Sequence, residues 1–371
     1  MTNTQDLHAT PFSQYHLEQG AKMVDFAGWE MPLHYGSIIE EHNQVRNSGG
    51  LFDVSHMGRL RFKGKDACKM LDFICTRQIQ GMGEGQIRYS LICNEAGYCL
   101  DDVLVYCEGD AHYSMVCNGA NREKIWNHIQ ENKSDFICKI KDETEDTAMI
   151  ALQGPKVMEL LANFSSEIQT LKRYRFTIKN LLIAKIMISR TGYTGEDGVE
   201  IILPKSFAPK AIKMMLKNIE DESIIRPAGL GARDSLRLEA GMPLYGHELD
   251  EETDPISAGL SFAVALQKGK GENKAHPFIG QEALNHIADC GSNKKLVGLA
   301  LDEKRSPRQG MAVFENDQII GNITSGCFSP TLNKPIAMAY VSSHFEGNTV
   351  QVDFGKQKLT ANVVALPFYK I

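Results

Sequence analysis

The amino-acid sequence predicts an α+β protein that ends in an all-β domain. Residues 66–129 and 147–217 each combine strand-like runs with segments that have apolar residues at helical spacing. Residues 296–371 are a series of short strands separated by turn signals such as Glu315-Asn316-Asp317 and Phe345-Glu346-Gly347. The first pattern is typical of layered α+β domains with antiparallel pairing, and the second is typical of a small barrel.

Composition excludes several classes of protein. The 371 residues are 43% apolar and 23% charged, which fits an ordinary globular protein of two or three domains. The net charge of −6 gives no global basic field for nucleic acid, and no apolar run reaches the roughly 20 residues of a membrane span. The N-terminus is polar and resembles neither a signal nor a transit segment. Nine scattered cysteines without a CxxC pair favour reduced thiols in a cytoplasm over disulfides or a zinc site.

The first elements lie in residues 21–58. A short strand is followed by what we expect to be an aromatic loop around Gly28 and Pro32. Ser37 and Glu40 form a capping-box pattern, which predicts a helix to about Asn47. A strand at residues 51–54 then leads to His56, which is either a catalytic base or a structural residue.

A helix is predicted over residues 66–75, followed by a β-hairpin at 89–106. Its two runs, 89–93 and 100–106, flank a polar turn at Gly97. Asp101 and Asp102 are unusual in a strand, and their side chains must point to opposite faces. One of them therefore lies where a charge is wanted or is neutralised. The ordinary alternative is a hairpin near a sheet edge, with one Asp solvated and the other hydrogen-bonded to a turn.

The remaining elements follow in similar order. A strand at 113–117 precedes a helix whose apolar face is Ile125, Trp126 and Ile129. The later strands and helices are predicted at 147–153 (strand), from Gly154-Pro155 (helix), 181–189 and 199–203 (a hairpin across the Gly-rich residues 191–198), 206–217 (helix), 221–226 (strand), 230–240 (helix closed by Gly241), 268–274 (loop) and 279–288 (helix).

Two stretches besides the acid pair could carry chemistry. No phosphate loop, HExxH, GxSxG or dinucleotide fingerprint is present, so a site without nucleotide or metal is the default. Residues 192–198 and Glu200 form either a binding loop or a plain Gly-rich hairpin turn. The glycines of residues 229–241 would let a helix approach a ligand or another backbone. Alternatively, that helix pairs its charged residues on its surface, namely Arg233, Asp234, Arg237 and Glu239.

Several segments together resemble one family across nearly the whole chain. They are Val24-Asp25-Phe26-Ala27-Gly28-Trp29-Glu30-Met31-Pro32-Leu33, Leu51-Phe52-Asp53-Val54-Ser55-His56-Met57, Leu100-Asp101-Asp102, Gly192-Tyr193-Thr194-Gly195-Glu196-Asp197-Gly198-Val199-Glu200-Ile201, residues 229–241, and Thr324-Ser325-Gly326-Cys327-Phe328-Ser329-Pro330-Thr331-Leu332. The sequence resembles the T proteins of the glycine cleavage system, which are tetrahydrofolate-dependent aminomethyltransferases.

The resemblance implies a fold and a reaction. The fold would be a three-domain cloverleaf around a central folate channel, with two antiparallel-sheet domains and a C-terminal β-barrel. The first domain would be residues 1–55 and 140–230, the second 56–139 and 231–275, and the barrel 276–371. The enzyme would transfer methylene from the aminomethyl-lipoyl arm of H protein to tetrahydrofolate, releasing ammonia and giving 5,10-methylenetetrahydrofolate.

The resemblance also assigns site residues. Asp102 would be the catalytic carboxylate, with Asp101 as the fallback, and no metal would be needed. Glu200 would accept the pterin N–H groups, and Arg233 would contact bound folate. The other folate-channel positions are Tyr89, Tyr106, Asn118, Tyr174, Tyr193, Met57 and Tyr369. Two positions depart from the family, because Tyr98 replaces a second glycine and Phe262 replaces a common Trp.

The sequence leaves two other functions to consider. One is the folate domain of a demethylating amine oxidase, although such relatives usually carry an upstream flavin domain with a Gly motif that this chain lacks. The other is a folate-binding relative without transferase activity, which would not need the acid pair. A set of basic residues is either a contact for an acidic partner surface or a group of solvated loop charges; they are Lys268, Lys270, Arg305 and Arg308.

Overall fold

The computed structural model describes residues 7–162, 165–181, 184–217 and 223–371. The start of the N-terminal segment that we interpreted as free of targeting signals, residues 1–6, lies outside them. The strands described, numbered β1 to β20 along the chain, are His8–Ala9, Lys22–Phe26, Trp29–His34, Gly50–Asp53, Gly58–Lys63, Ile87–Cys93, Cys99–Gly109, His112–Cys117, Lys139–Asp142, Thr147–Gln153, Phe176–Leu181, Ala184–Ser189, Gly198–Pro204, Arg226–Pro227, Lys294–Leu301, Ala312–Glu315, Gln318–Ser329, Lys334–Ser342, Thr349–Asp353 and Lys358–Val364.

The α-helices in the described part of the chain have at most ten residues each. Numbered α1 to α9, those described are Ser13–Glu18, Ile38–Asn47, Ala67–Ile74, Arg122–Glu131, Val157–Ala162, Ser166–Thr170, Ala208–Lys217, Leu230–Glu239 and Gln281–Cys290. The predicted cap by Ser37 is confirmed, since its hydroxyl accepts a hydrogen bond from the Glu40 backbone N–H at the start of α2. No helix among the described residues is long and apolar enough to cross a membrane.

Three sheets and a barrel organise the chain, and they confirm the α+β class with a C-terminal barrel. A three-stranded sheet has the order β1-β3-β2, and a five-stranded sheet has the order β6-β7-β8-β5-β9. A six-stranded sheet has the order β11-β12-β13-β10-β4-β14, so strands before and after the five-stranded sheet meet in it. The closed barrel runs β15-β18-β17-β16-β19-β20. The domain boundaries given above stay a prediction.

The predicted hairpin at residues 89–106 is confirmed as β6 and β7. Their antiparallel register pairs Leu91 with Asp102 and Ile92 with Asp101. The turn places Gly97 at φ +81°, a conformation that glycine adopts easily. Tyr98, the departure from the family pattern, has no positive φ. Its N–H donates to Asn94 Oδ1 at 3.0 Å. The turn therefore accommodates the tyrosine.

The expected aromatic loop of residues 27–36 is wrong. Trp29–His34 is strand β3, which pairs antiparallel with β2 around a turn at Ala27 and Gly28. Pro32 lies where the register with β2 shifts, and β1 pairs only with Trp29 and Glu30. A residue without a backbone N–H is tolerated at such a position, which is why the proline does not end the strand.

Two further strand predictions need correction. Leu181 does not belong to the strand that ends at Ser189, because it closes β11, which pairs antiparallel with β12; residues 182–183 are not described. The strand expected at 221–226 is instead the two-residue β14, Arg226–Pro227, parallel to β4. Residues 221–222 of that prediction also lie outside the described part of the chain.

A shared apolar cluster joins the five-stranded and six-stranded sheets. It contains Tyr106 from β7, Phe176 from β11 and Leu236 from α8, all buried. Backbone hydrogen bonds cross the same seam, with Ile87 N–H donating to Tyr174 O at 2.9 Å. Burial of apolar surface between two sheets fixes their relative position. Polar side chains at the rim of this seam are consequently held close together.

Helix α8 lies between β3 and the barrel. A side chain at Gly229 would collide with the Leu33 carbonyl, so glycine allows the helix to approach β3 closely. The close approach is to another backbone, one of the two options predicted for the glycines of residues 229–241. On the other side, Leu238 packs with Ile336 and Met338 of the barrel. The helix is therefore fixed on both flanks.

Candidate active site

The two adjacent aspartates of β7 have different environments. Asp101 is fully buried and accepts three hydrogen bonds: from Asn118 N–H at 3.0 Å, from Asn118 Nδ2 at 2.8 Å and from Asn121 Nδ2 at 2.6 Å. Asp102 is half-buried and accepts from Tyr89 Oη at 3.1 Å and from Asn118 Nδ2 at 2.7 Å. One Asp is thus bonded to a turn, as the ordinary alternative expected, but the other is held by two side chains instead of being free in solvent.

The two acids have no neutralising cation within the part of the chain that the structure describes, so their position favours the binding of a positively charged group. Burial raises the pKa of Asp101 to about 8, with the charge of Asp102 as the next cause, and burial raises the pKa of Asp102. Among the described residues, no Lys, Arg or His nitrogen lies within 4.0 Å of either carboxylate. The pair therefore has no counter-cation of its own in this part of the chain.

Glu200 lies across the seam on β13, next to the Gly-rich loop. It is 6% exposed, and its Oε2 accepts a hydrogen bond from Thr191 Oγ1 at 2.5 Å. Thr191 is itself bonded to Ser189 at 2.9 Å, so the carboxylate is held in one orientation. Its second oxygen, Oε1, has no hydrogen-bond partner among the described residues.

Arg233, on the first turns of α8, is close to both Glu200 and Tyr193. Burial lowers the pKa of the guanidinium, and the charge of Glu200 partly offsets this effect. The guanidinium carbon lies 4.8 Å from the centre of the Tyr193 ring, and the Tyr193 hydroxyl donates to the Pro243 carbonyl. Through Arg233, helix α8 therefore contacts the 192–198 loop and lies near β13.

Three buried polar atoms in this region have no hydrogen-bond partner in the described structure. They are Arg233 Nη1, Tyr106 Oη and His56 Nδ1. Buried polar groups in native proteins are normally paired, so orphaned donors clustered beside a carboxylate indicate a place for a ligand. Burial, together with the charges of Arg233 and Arg59, lowers the pKa of His56 to about 3. The imidazole is therefore neutral and a weak base at neutral pH.

Other residues assigned by resemblance line the rim of the same seam. Tyr174 is 51% exposed and adopts φ +57° beside the start of β6. Met57 packs against the apolar cluster that contains Tyr106. Phe262, the departure from a common Trp, keeps an aromatic contact, because its exposed ring stacks on Tyr89 with 6.0 Å between centroids.

Tyr369 lies in a different set of contacts. Its ring centre is 4.1 Å from the Arg46 guanidinium carbon, and its N–H donates to the Glu239 carbonyl at 2.9 Å. These contacts join the end of the barrel domain to α2 and α8. The predicted folate contact of Tyr369 stays a prediction.

Sequence reasoning missed Asn121 and the network around Arg46. Asn121 could have been found from the polar turn Asn118-Gly119-Ala120-Asn121, which follows a strand beside the acid pair. Arg46 had no such signal, because its acceptors are about 150 and 190 residues away along the chain. Its Nη1 is 2.9 Å from Glu196 Oε1, and its Nη2 is 2.9 Å from Glu239 Oε2, with side chains almost completely buried.

This network shows that surface pairing of the α8 charges is the wrong interpretation. Arg237 is 1% exposed and bonds to Glu248 Oε2 at 2.8 Å, although it also bonds to the exposed Asp234. Glu239 is fully buried and accepts hydrogen bonds from Thr331 and Ser329 of the barrel. The charges thus hold α8, and Arg233 with it, against the barrel and α2.

Replacing Arg46 by Met should lower the free energy of unfolding by about 3–5 kcal/mol, because two buried carboxylates lose their cation. Chemical denaturation monitored by circular dichroism measures this change. The matched control is Arg122→Met. Its side chain is 25% exposed and its ion pairs lie at the surface, so the cost should be about 1 kcal/mol or less. Equal losses in the two variants would contradict this assignment.

Lys268 is not a solvated loop charge, and both interpretations of it were wrong. Its side chain is fully buried, with Nζ 3.4 Å from Asp72 Oδ1 and 2.9 Å from the Cys75 carbonyl. Lys270, in contrast, bonds to Asn285 on the surface. The loop at 268–274 is therefore anchored to helix α3 by a buried ion pair, and Lys268 cannot meet a partner.

Comparison with known proteins identifies the family. The family described as the GCVT N-terminal domain matches residues 12–268, and the glycine cleavage T-protein C-terminal barrel domain matches residues 294–370. The chain belongs to the glycine cleavage T-protein family. An aminomethyltransferase from Rubrobacter xylanophilus is 44% identical over 98% of this chain and 95% of the relative. Another, from Thermotoga maritima, is 44% identical over 97% of each.

A solved structure agrees with this membership. The crystal structure of glycine cleavage system aminomethyltransferase T from Bartonella henselae matches with a TM-score of 0.90 and 32% identity, covering 98% of this chain and 99% of that one. The chain is thus an aminomethyltransferase of the glycine cleavage system. The two alternative functions, a folate-binding relative without transferase activity and the folate domain of an amine oxidase, are not favoured.

Proposed function

We propose that this enzyme transfers the methylene of an aminomethyl-lipoyl group, carried by the H protein of the glycine cleavage system, to tetrahydrofolate. Ammonia, the dihydrolipoyl arm of H protein and 5,10-methylenetetrahydrofolate would be the products. The observation that supports this proposal is that Tyr193 and Arg233 link Asp102 to Glu200: Tyr193 lies within electrostatic range of Asp102 and Arg233, and Arg233 lies within range of Glu200, with unpaired buried polar atoms beside them.

The unpaired atoms fit a reduced pterin. A pterin edge offers N–H donors side by side, and Glu200 has an oxygen available to accept them while Thr191 holds the other. Arg233 Nη1 and Tyr106 Oη would pair with polar atoms of the same co-substrate. Tyr174 and Tyr193 would supply flat apolar faces for its rings. Glu200 and Arg233 therefore recognise the co-substrate, and tetrahydrofolate supplies the nucleophilic nitrogen.

Asp102 would act on the carbon that moves. That carbon becomes iminium-like as its bond to nitrogen or sulfur breaks, and a carboxylate without a counter-cation stabilises the positive charge. The same carboxylate can accept a proton as the new ring closes. Tyr89 and Asn118 hold its two oxygens, so it is fixed in place before the substrate arrives. We assign Asp102 as the catalytic residue on this basis.

The partner and the compartment follow from the same proposal. The lipoyl arm of H protein would have to reach Asp102, which is half-buried, and the exposed rim residues Tyr174 and Phe262 would border its way in. All nine cysteines are free thiols, a pattern that suits a reducing cytoplasm. We propose no metal in the reaction, because the carboxylate chemistry described above needs none.

Ammonia release from aminomethylated H protein tests the proposal. We expect release that depends on tetrahydrofolate and stops when the folate is omitted, with 5,10-methylenetetrahydrofolate formed in equal amount. Ammonia release at the same rate without tetrahydrofolate would contradict a transferase role. H protein that carries lipoyl without the aminomethyl group is the control and should give no ammonia.

A further inference from the structure

One amide group joins the two aspartates. Asn118 Nδ2 donates to Asp101 Oδ1 at 2.8 Å and to Asp102 Oδ1 at 2.7 Å. Both acceptors are carboxylates, so the atom between them must be the nitrogen of the amide and not its oxygen. The orientation of Asn118 is therefore fixed, and its carbonyl oxygen must point away from the pair. That oxygen has no hydrogen-bond partner in the described part of the protein and is not sealed from solvent.

Asp101 is the residue that sets this orientation. Its three hydrogen bonds come from donors of the 118–121 turn, and two of them come from Asn118 itself. An amide at position 101 could not accept all three, because it would place an N–H₂ group against one of these donors. Asp101 is also completely buried, so it cannot touch a substrate.

The groups near the pair do not provide an alternative partner. Those within electrostatic range are Tyr89, Tyr193, Tyr245, Cys99 and Cys117, which are phenols and thiols with raised pKa values and are therefore neutral at pH 7. The main cause is a hydrogen bond with Cys93 for Cys99 and burial for the other four. Placing the carboxylate of Asp101 beside that of Asp102 is electrostatically unfavourable, because both groups are acidic and burial adds a desolvation cost. The hydrogen bonds that Asp101 accepts from Asn118 offer a reason for its presence.

We propose that Asp101 is a positioning residue that acts through Asn118. Asp101 fixes the orientation of the Asn118 amide, so that the amide nitrogen donates to Asp102. The Asn118 carbonyl oxygen is then left open as a second acceptor beside the catalytic carboxylate. The two acceptors would together receive an N–H-bearing, positively charged group, such as the amine of the aminomethyl substrate. This inference rests on the proposed function, because it names how the same site orients its substrate.

A double-mutant cycle tests whether Asp101 acts through Asn118. We expect Asp101→Asn and Asn118→Ala each to lower kcat for ammonia release by about 30–100-fold, the size of effect that a misplaced reacting group produces. If one residue acts through the other, the double variant should be within about 3-fold of Asn118→Ala. Losses that multiply in the double variant, or an Asp101→Asn enzyme with normal kcat, would overturn the inference.

Two further variants keep the test decisive. Asp72→Asn is the structural control, because Asp72 is a buried carboxylate of the same sheet domain that accepts from Ile79 N–H at 2.6 Å and pairs with Lys268. It should lower thermal stability and leave kcat within about 2-fold. If Asp101→Asn does not fold, Asn121→Ala removes one donor from Asp101. It should lower kcat about 3–10-fold and again be non-additive with Asn118→Ala; normal kcat or additive losses would overturn the inference.

The rate of the unmodified enzyme separates this inference from the proposed function. Tetrahydrofolate-dependent ammonia release by the wild-type protein supports the function whatever the variants do. The inference depends only on how the losses at positions 101 and 118 combine, so its failure leaves the assignment of Asp102 and Glu200 intact.

Discussion

Asp102→Asn should lower kcat for methylene transfer by about 1,000-fold or more, with the fold preserved. The substitution keeps the size of the side chain and an oxygen that accepts from Asn118, and its N–H₂ group can donate to the Tyr89 hydroxyl. It removes the charge that stabilises the iminium-like carbon and accepts the proton. Single-turnover ammonia release from aminomethylated H protein measures the loss. Near-normal turnover in this variant would remove Asp102 from the mechanism.

Asp110→Asn is the matched control for that experiment. Asp110 lies at the turn between β7 and β8, so it follows the strand that carries Asp102, but its side chain is exposed to solvent. Its replacement should leave kcat unchanged.

The wild-type enzyme should also lose activity on acidification at a higher pH than an ordinary Asp would require, because burial raises the pKa of Asp102 and its ionised form is needed.

Glu200→Gln should weaken tetrahydrofolate binding by about 10–100-fold, the cost of turning charge-assisted hydrogen bonds into neutral ones. The amide can still accept a hydrogen bond from Thr191, so the loop should keep its conformation. Arg233 would also lose the charge that offsets its burial. Isothermal titration calorimetry with tetrahydrofolate measures the dissociation constant directly.

Glu159→Gln is the control for Glu200. Glu159 is an exposed residue of α5, a helix packed on the same six-stranded sheet. Its replacement should leave the dissociation constant unchanged. An unaltered affinity in Glu200→Gln would exclude the predicted contact with the pterin and would require another acceptor in the site.

Local sequence signals predicted the elements that carry the site. The hairpin with its acid pair, the Ser37 cap and the strand Thr147–Gln153 were all visible as short-range patterns. The same rules failed for strand β3, where Gly28 and Pro32 suggested a loop. Pairing with β2 on one side and only briefly with β1 on the other tolerates the proline there.

Burial of charge was outside the reach of sequence reasoning. Lys268, Arg237 and Glu239 are charged residues in polar stretches, and the sequence favours a solvated position for each. All three are buried because other segments cover them and supply partners, namely Asp72, Glu248 and Arg46. Each partner lies outside the element that carries the charge, so it leaves no periodicity within that element to detect.

By itself, the sequence determined the type and order of most elements, the position of the acid pair and, through motifs spread along its length, the family. Tertiary structure alone decided the contacts: the Asn118 amide bonds to both Asp101 and Asp102, the Arg233 guanidinium lies over the Tyr193 ring, and Asp101 faces the 118–121 turn. The reason is physical: local periodicity reports which face of an element is apolar, whereas contacts between elements arise only when burying those faces fixes two sheets and a helix against each other.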